Sequence, residues 1–315
     1  MAFKIFIDGQ EGTTGLQIAD RLRDRPELDI LPISEEERKD PFVRKKLINE
    51  SDLTFLCLPD DAAKESVSLL ENPRTKIIDA STAHRTDPAW AYGFPELDAS
   101  FEEKVKTARL IANPGCYPSG FLSVVYPLIK LDILGKDYPF VCHAISGYSG
   151  GGKKMIAAYD SPSRSEEYHS VRQYALSQTH KHQPEMKYIA GLTHLPVFNP
   201  AVADFYCGMT VSVPLHSRLL NKNLSAKAVW ELLSEYYSGK IFVEVLPFMG
   251  EGVFADGFLP SNSLRNKNHL QIIVCGNEDR ILLAACLDNL GKGAAGAAVQ
   301  NMNLALGLPE MAGLL

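Results

Sequence analysis

The sequence predicts an α/β protein with two domains: a doubly wound parallel sheet, then an α+β domain whose mixed sheet is largely antiparallel. Before residue 116, short apolar runs alternate with polar segments long enough for crossover helices. Beyond about residue 135 the apolar runs are longer, and two of them flank a tight turn, which is typical of an antiparallel hairpin. A chain of 315 residues is long enough for two domains.

The first half alternates between strands and helices. A strand at 4–8 leads into a glycine-containing loop at 9–15 and then a helix at 16–22. Further strands are predicted at 30–33, 53–58, 76–79 and 109–111, and the apolar spacing after 118 predicts another helix. Pro32 weakens the second strand unless it lies at an edge, because proline cannot donate a backbone hydrogen bond.

The second half reads as a separate sheet with helices. Strands are predicted at 140–145, 205–213, 241–246, 270–275 and 281–287, with the hairpin turn at 276–279. A helix is predicted at 224–237, and Ser225 is placed near its start. At the end, a glycine-rich segment at 291–296 leads into a helix at 297–306.

Composition excludes several classes of protein. A net charge of -6 and a pI near 5.8 give no electrostatic reason to expect nucleic acid or an anionic membrane as partner. No apolar run reaches the ~18 residues of a membrane span, and the start lacks a signal-peptide pattern. The six cysteines show no paired C-x-x-C spacing. We therefore expect reduced thiols and a cytoplasmic protein.

The loop after the first strand carries a dinucleotide-binding pattern. Gly9, Gly12 and Gly15 form G-x-x-G-x-x-G between a strand and a helix, as a Rossmann domain requires for a tight turn and close approach to a pyrophosphate. Thr13 and Thr14 add hydroxyls that can bind phosphate. The sequence therefore predicts a dinucleotide cofactor here.

The end of the second strand favours NADP(H) over NAD. An acidic side chain at this place would hold the ribose 2′-OH, whereas a 2′-phosphate needs cations and hydroxyls. Ser34 and Arg38 suit the phosphate, while Glu35 suits the hydroxyl. Residues 35–40 are also compatible with a merely solvated charged stretch.

Cys116 is the candidate nucleophile. It follows the strand at 109–111 and lies just before apolar residues at helical spacing, hence in a tight strand-to-helix turn. The positive end of a helix dipole favours a thiolate there. The alternative is a buried cysteine acting as a small apolar residue.

His180 and His182 are the candidate acid–base residues. Two imidazoles in a polar loop can place one ring beside a thiolate as general base and later acid. No third and fourth ligands are evident, so no metal is expected. Two surface histidines are the competing interpretation.

Two further segments could bind a substrate anion. The glycine-rich loop at 146–154 offers backbone N–H groups and ammonium charge, with Ser149, Gly150 and Lys153 as candidates. Ser81 and Arg85 follow the fourth strand, at the edge where ligands meet a doubly wound sheet. Ser81 is assigned to the cofactor and Arg85 to the substrate, although a structural arginine is also compatible with the sequence.

Taken together, these segments resemble the shorter type of N-acetyl-gamma-glutamyl-phosphate reductase. The matching runs are DASTAHR at 79–85, YGFPEL at 92–97, NPGCYP at 113–118, SGYSG at 146–150, HKHQPE at 180–185 and NLGKGAAG at 289–296, besides the first glycine loop. They span nearly the whole chain in order. The first loop departs from the family's more usual G-A-x-G-Y-x-G, because Gln10, Glu11 and Thr13 replace its small pair and its tyrosine.

The resemblance implies NADPH-dependent reduction of N-acetyl-gamma-glutamyl phosphate, a small acyl phosphate, to its semialdehyde in arginine biosynthesis. It implies that Cys116 is the nucleophile and that the histidine pair holds the acid–base residue, with His182 preferred. Gly293 and Gly296 would help to hold the cofactor, and Lys292 is a further candidate for binding substrate. A homodimer or homotetramer is expected.

The predicted domain limits follow from assigning cofactor binding and catalysis to different segments of the chain. Residues 1–116 with 290–315 are predicted to form the NADP-binding domain, and 117–289 the catalytic and assembly domain. Two alternatives stay open: another semialdehyde dehydrogenase, acting on aspartate semialdehyde or aminoadipyl phosphate, and a non-catalytic NADP-sensing regulatory protein.

Overall fold

The computed structural model describes residues 2–314, with the side chain of residue 255 also left aside. The chain divides into two compact units. One comprises the chain up to Gly115 and again from Ala294 onward, and the other is Cys116–Gly293. Among the described residues, no helix is both long and apolar enough to cross a membrane.

Strands and helices are numbered here in chain order. The strands are β1 Phe3–Asp8, β2 Leu28–Ile30, β3 Leu53–Leu56, β4 Lys76–Asp79, β5 Ala91–Tyr92, β6 Leu110–Ala112, β7 Val141–Gly147, β8 Arg172–Gln173, β9 Val197–Ala203, β10 Met209–His216, β11 Val243–Val245, β12 Leu270–Gly276 and β13 Arg280–Leu287. The α-helices are α1 Thr13–Leu22, α2 Pro41–Glu50, α3 Asp60–Ser68, α4 Ala99–Thr107, α5 Cys116–Lys130, α6 Gly152–Asp160, α7 Gln183–Ala190, α8 Ala226–Tyr236 and α9 Gly296–Ala305.

The first unit contains a parallel sheet with strand order β2-β1-β3-β4-β6-β5. Its strands are short and apolar because both faces are covered, and Phe6, Leu56 and Ile77 are fully buried in one core cluster. The order reverses at β1, so the loops after β1, β2 and β3 meet at one edge. Such a crevice is where doubly wound sheets bind ligands.

The predicted position of the second strand was wrong. It was expected at 30–33, whereas β2 is Leu28–Ile30 and pairs with β1. The ladder closes with the N–H of Leu31 donating to the carbonyl of Ile5 at 2.8 Å. Pro32 has no N–H to continue it, which explains the shift toward the N-terminus.

The second unit contains a mixed sheet with strand order β11-β12-β13-β10-β7-β9-β8. The pairs β7/β9 and β11/β12 are parallel, and the remaining neighbours are antiparallel. The predicted hairpin is confirmed, since β12 and β13 pair antiparallel across the turn at 277–279. The predicted fold class is confirmed as well.

The single strand predicted at 205–213 was wrong. The chain instead forms β9 and β10, and the intervening turn includes Gly208 at φ +110°. A Cβ at Gly208 would lie 2.6 Å from the Cα of Asn262, so only glycine fits this turn. β9 escaped prediction because Pro200 lies within it, and proline argues against a strand inside a sheet.

Helix α5, which begins at Cys116, is packed from several sides. Gly120 allows close approach to β10, because a Cβ there would lie 2.5 Å from Val211 Cγ2. Pro127 lies inside the helix and cannot donate to the carbonyl of Ser123. That carbonyl instead accepts a hydrogen bond from the hydroxyl of Tyr237 at 2.8 Å. The buried helix is thus satisfied by a partner outside it.

Candidate active site

Cys116 is the first residue of α5 and follows β6 after a three-residue turn. Its side chain is half-buried and free of any disulfide. The sulfur therefore lies at the positive end of a helix dipole, which favours the thiolate. Gly293 packs against it closely: a Cβ at Gly293 would lie 2.7 Å from the Cβ of Cys116. A side chain at position 293 would displace Cys116.

A cavity of about 280 Å³ in the second unit joins Cys116 to the two histidines. The reactive or polar side chains that line it include Cys116, Tyr117, Tyr174, His180, Lys181 and His182. Gly147, Gly150 and Gly151 line another part of it with backbone, so part of the glycine-rich loop at 146–154 lies beside the thiol. The structure thus brings three separate stretches of the sequence to one site.

The two imidazoles have different surroundings. Their ring centroids lie 4.8 Å apart, and His180 also packs edge-on to Phe198 at 5.1 Å. The backbone N–H of His182 donates to Nδ1 of His180 at 3.1 Å, so that nitrogen carries a lone pair. Burial, and then the ammonium of Lys181, lower the pKa of His180 to about 4. His180 is consequently neutral near pH 7.

His182 is buried at the N-cap position of α7. Gln183 fixes this end of the helix: its side chain accepts from the N–H of His180 at 2.8 Å and donates to the carbonyl of Pro196 at 3.0 Å. At the other end, Gly191 adopts the left-handed conformation that terminates a helix. A rigid short helix therefore holds the ring of His182 in the cavity wall.

A phenol pair forms part of the same wall. The hydroxyl of Tyr174 donates to that of Tyr117 at 2.8 Å. Burial raises the pKa of both hydroxyls, so both stay protonated; Tyr174 uses its O–H on Tyr117, and the Tyr117 O–H can donate to another oxygen. Tyr174 escaped sequence reasoning because nothing local marks it; only the strand pairing of β8 with β9 brings it to the site.

The first unit offers a second cavity, of about 300 Å³, at the edge where β1, β2 and β3 end. It is lined by Gly9, Gly12, Ser34 and Arg38, all predicted to bind the cofactor, and also by Lys39. Gly9 has φ +87°, and a Cβ on it would lie 2.5 Å from the carbonyl oxygen of Cys57. Glycine at this position therefore lets the loop pack directly on the backbone that follows β3.

The residues of this cavity fit a dinucleotide. Helix α1 begins at Thr13, and no side chain of the described chain caps it, so its first N–H groups are available to bind an anion. Gly15 lets α1 pack on the loop, since a Cβ there would lie 2.5 Å from the oxygen of Gly9. Arg38 and Lys39 supply cations beside Ser34, while Glu35 is already engaged by Arg38 at 3.0 Å. These hydroxyl and cationic side chains suit a ribose that carries a 2′-phosphate better than one that carries a 2′-hydroxyl.

Asp8 was missed by sequence reasoning and lies at the end of β1 beside this loop. Its buried carboxylate accepts from Arg44 at 3.1 Å and from Ser66 at 2.8 Å. The network ties β1 to α2 and α3. Because the carboxylate is already paired, we assign Asp8 to holding the loop.

The other predicted residues lie in varied surroundings. Ser81 donates from its N–H and its hydroxyl to the buried carboxylate of Asp79, at 2.8 Å each. Arg85 is buried in the first unit and donates to the carbonyls of Asn113 and Ala80, at 2.8 and 2.9 Å. These contacts give both residues a structural task at the sheet edge.

In the second unit, Ser149 is buried and accepts from the amide of Asn289 at 2.9 Å. Lys153 is exposed on α6 and does not line the cavity in the described chain. Lys292 is buried with its ammonium 5.7 Å from the centroid of the Phe242 ring. In the first unit, Thr14 follows Thr13 in α1, and Gly296 begins α9.

Two family models match the chain. The semialdehyde dehydrogenase NAD binding domain matches residues 4–107, and the semialdehyde dehydrogenase dimerisation domain matches residues 116–289. N-acetyl-gamma-glutamyl-phosphate reductase 2 of a Nostoc species is 47% identical over 99% of both chains. The reductase 2 of Pseudomonas putida is 44% identical over 96% of both chains. The chain belongs to the N-acetyl-gamma-glutamyl-phosphate reductase family, within the semialdehyde dehydrogenases.

Solved structures of more distant proteins have a fold similar to that of this chain. Aspartate semialdehyde dehydrogenase II from Vibrio cholerae, complexed with ASA, superposes with a TM-score of 0.70 at 17% identity, covering 97% of this chain and 98% of that chain. The aspartate semialdehyde dehydrogenase from Francisella tularensis gives 0.71 at 13% identity, covering 96% and 99%. At such identities the likeness concerns the fold alone. The family predicted from the sequence motifs is confirmed by the closer relatives.

Proposed function

We propose that this reductase converts N-acetyl-gamma-glutamyl phosphate to N-acetylglutamate 5-semialdehyde with NADPH, through a thioester on Cys116, in arginine biosynthesis. Family membership supports the overall reaction. The observation that carries the covalent route is the cavity in which a thiol at a helix N-terminus shares a wall with two histidines. Acyl transfer to a thiol needs this combination.

The first chemical step is attack by the Cys116 sulfur on the acyl carbon. A C–S bond forms, the C–O bond to the phosphate breaks with its electron pair staying on the phosphate oxygen, and a thioester remains. We assign stabilisation of the developing oxyanion to backbone N–H groups in the first turn of α5, with the Tyr117 hydroxyl as a further donor. A hydroxyl in place of the thiol would be a far weaker nucleophile at neutral pH.

His182 is assigned as the acid–base residue. Its neighbour His180 stays neutral on both sides of pH 7, because its pKa is about 4, and its Nδ1 lone pair is already used to accept from a backbone N–H. His182 takes the thiol proton before attack. It then gives that proton to the departing phosphate oxygen, which leaves as hydrogen phosphate, and one proton taken up from solvent restores the Cys116 thiol at the end of the turnover.

The cofactor assigned to the first unit is NADP(H), held by the glycine loop at 9–15 with Ser34, Arg38 and Lys39 at the 2′-phosphate. When bound, it supplies the hydride that reduces the thioester carbonyl carbon. Cys116 then leaves as the thiolate as the C–S bond breaks and the aldehyde forms. The positive end of the α5 dipole stabilises the departing thiolate.

A homodimer through the second unit is part of the proposal, and a homotetramer would be two such dimers. Residues 116–289 match a dimerisation domain. On one face of its sheet the exposed side chains include Ile145 and Leu282. They project from the same side, because they pair with Thr210 and Pro214, which are four residues apart on β10. An exposed apolar sheet face is suited to a second copy.

A cytoplasmic location belongs to the same proposal. All six cysteines are free, and none of them forms a disulfide in the described chain. Reduced thiols are the rule in that compartment.

Replacing the nucleophile tests the covalent route. We expect Cys116→Ser to lose at least ~1,000-fold in kcat while the dissociation constant for NADPH stays the same, because the cofactor loop lies in the other unit. The matched control is Cys275→Ser, a half-buried thiol outside the cavity. Mass spectrometry of the wild type quenched after mixing with acyl phosphate should find an acyl group on Cys116.

Two results would overturn the proposal. Normal turnover by Cys116→Ser excludes the thioester. Preference of the wild type for aspartate semialdehyde in the phosphate-dependent reverse assay excludes the assigned substrate.

A further inference from the structure

The cavity around Cys116 contains one permanently charged side chain among the described residues that line it. That residue is Lys181, between the two histidines. The other linings are thiol, phenol, hydroxyl, imidazole, glycine backbone and the apolar Met155 and Val202. No carboxylate lines the cavity within residues 2–314. Among the described lining residues, the ammonium of Lys181 is therefore the one permanent side-chain charge, and it adds to the positive end of the α5 dipole.

Lys181 is not committed to another partner. Its ammonium makes no ion pair with any carboxylate in the part of the chain that the structure describes. Its side chain is exposed, yet it stays close enough to His180 to disfavour a proton on that ring. A cation beside two imidazoles and a thiol costs free energy, because it opposes protonation of the rings. An anion bound at the same site would offset that cost.

The substrate of the proposed reaction supplies such an anion next to the reacting atom. Its phosphate is bonded directly to the acyl carbon that Cys116 attacks, whereas its carboxylate lies at the far end of the carbon chain. His180 is neutral and cannot offer the charge. The side chain adjoining the acid–base residue is thus the one placed to meet the phosphate.

We propose that Lys181 binds the phosphate group of the acyl phosphate, and binds inorganic phosphate when the reaction runs in reverse. This rests on the proposed function and adds a residue for specificity. As a flexible ammonium, Lys181 can follow the phosphate as its bond to the acyl carbon breaks. By stabilising the leaving dianion it favours the forward step.

The test uses the reverse reaction, in which semialdehyde and inorganic phosphate are varied separately. For Lys181→Met we expect KM for phosphate to rise about 10- to 100-fold, the effect of losing one charge-assisted hydrogen bond, with KM for the semialdehyde within about twofold of wild type. Lys181→Arg should recover part of the phosphate affinity. Lys187→Met, on α7 but outside the cavity lining, is the matched control and should resemble the wild type.

A second measurement does not depend on turnover. Inorganic phosphate should slow the alkylation of Cys116 by iodoacetamide in the wild type, and this protection should weaken by the same factor in Lys181→Met. Circular dichroism and thermal unfolding confirm that each variant is folded. Protection of the wild type at phosphate concentrations matching its kinetic KM supports the assignment.

The outcomes separate the proposals. An unchanged KM for phosphate in Lys181→Met overturns the assignment. A raised KM for the semialdehyde alone also overturns it, and places Lys181 at the substrate carboxylate. If the wild type itself fails to oxidise the semialdehyde with phosphate and NADP, the proposed function has failed.

Discussion

His180 and His182 are alike in sequence and different in structure. The motif left open which of them exchanges protons, because two residues of the same type in one loop carry no further distinction. The distinction comes from a backbone N–H directed at Nδ1 of His180 and from the nearby ammonium of Lys181. Both follow from the way the chain turns into α7, which no local pattern records.

The pH dependence of stability tests this difference. The folded-state pKa of His180, about 4, lies below the unfolded value of about 6.5, so the unfolded chain binds more protons between these pH values. The stabilisation is fully present above pH ~6.5 and is lost as the pH falls from there toward 4. We expect His180→Asn to flatten the dependence of the denaturant midpoint on pH across that window.

Kinetics provide the companion readout for the same pair. The limb of the kcat/KM profile that reports the acid–base residue should persist in His180→Asn and vanish in His182→Asn. The reverse pattern would show that His180 is the acid–base residue.

At the scale of elements, prediction succeeded where one local signal decided the structure. The glycine loop after β1, the turn before α5 and the β12–β13 hairpin all follow from short patterns with a direct physical cause. It failed where distant pairing decided. β9 forms despite Pro200 because it lies between β7 and the short edge strand β8, and this neighbourhood cannot be read from nearby residues. Tyr174 reaches the cavity for the same reason.

The proline inside α5 gives a prediction about an element. The hydroxyl of Tyr237 satisfies the carbonyl that Pro127 leaves unpaired, and Tyr237 is buried. Tyr237→Phe should therefore lower the free energy of unfolding by about 1–3 kcal/mol, the cost of an unsatisfied buried acceptor. Equilibrium unfolding in urea measures it, with the exposed Tyr188→Phe as control. An equal effect in the two variants would mean that the hydrogen bond contributes nothing to stability.

The chain divides into two units, and in the proposed mechanism each unit carries one task. The cofactor cavity is built from residues of the first unit, and the thiol, histidines and phenols belong to the second. The sequence anticipated two domains because the spacing of apolar runs changes beyond residue 135. The sequence could not indicate which face of the second sheet stays exposed, because the pairing of distant strands determines which side chains share a face.

The exposed face of the second sheet gives the prediction at this scale. A glutamate at Leu282 or Ile145 would place a charge in an apolar interface, which is unfavourable without a partner. We expect either variant to shift the protein toward the monomer in light scattering at micromolar concentration. Phe42→Glu changes an exposed apolar side chain in the other unit and should leave the mass unchanged. An intact dimer in both sheet variants would place the interface elsewhere.

The close approach of Gly293 to Cys116 restricts the orientation of the proposed nucleophile. Backbone atoms fill one side of the cysteine Cβ, so fewer staggered rotamers are open to the sulfur than on an exposed helix. The entropy of orienting the thiolate is thereby lost once, when the chain folds, and is not lost again with each substrate molecule. A glycine far along the chain in sequence thus helps to set the direction from which the acyl carbon must arrive.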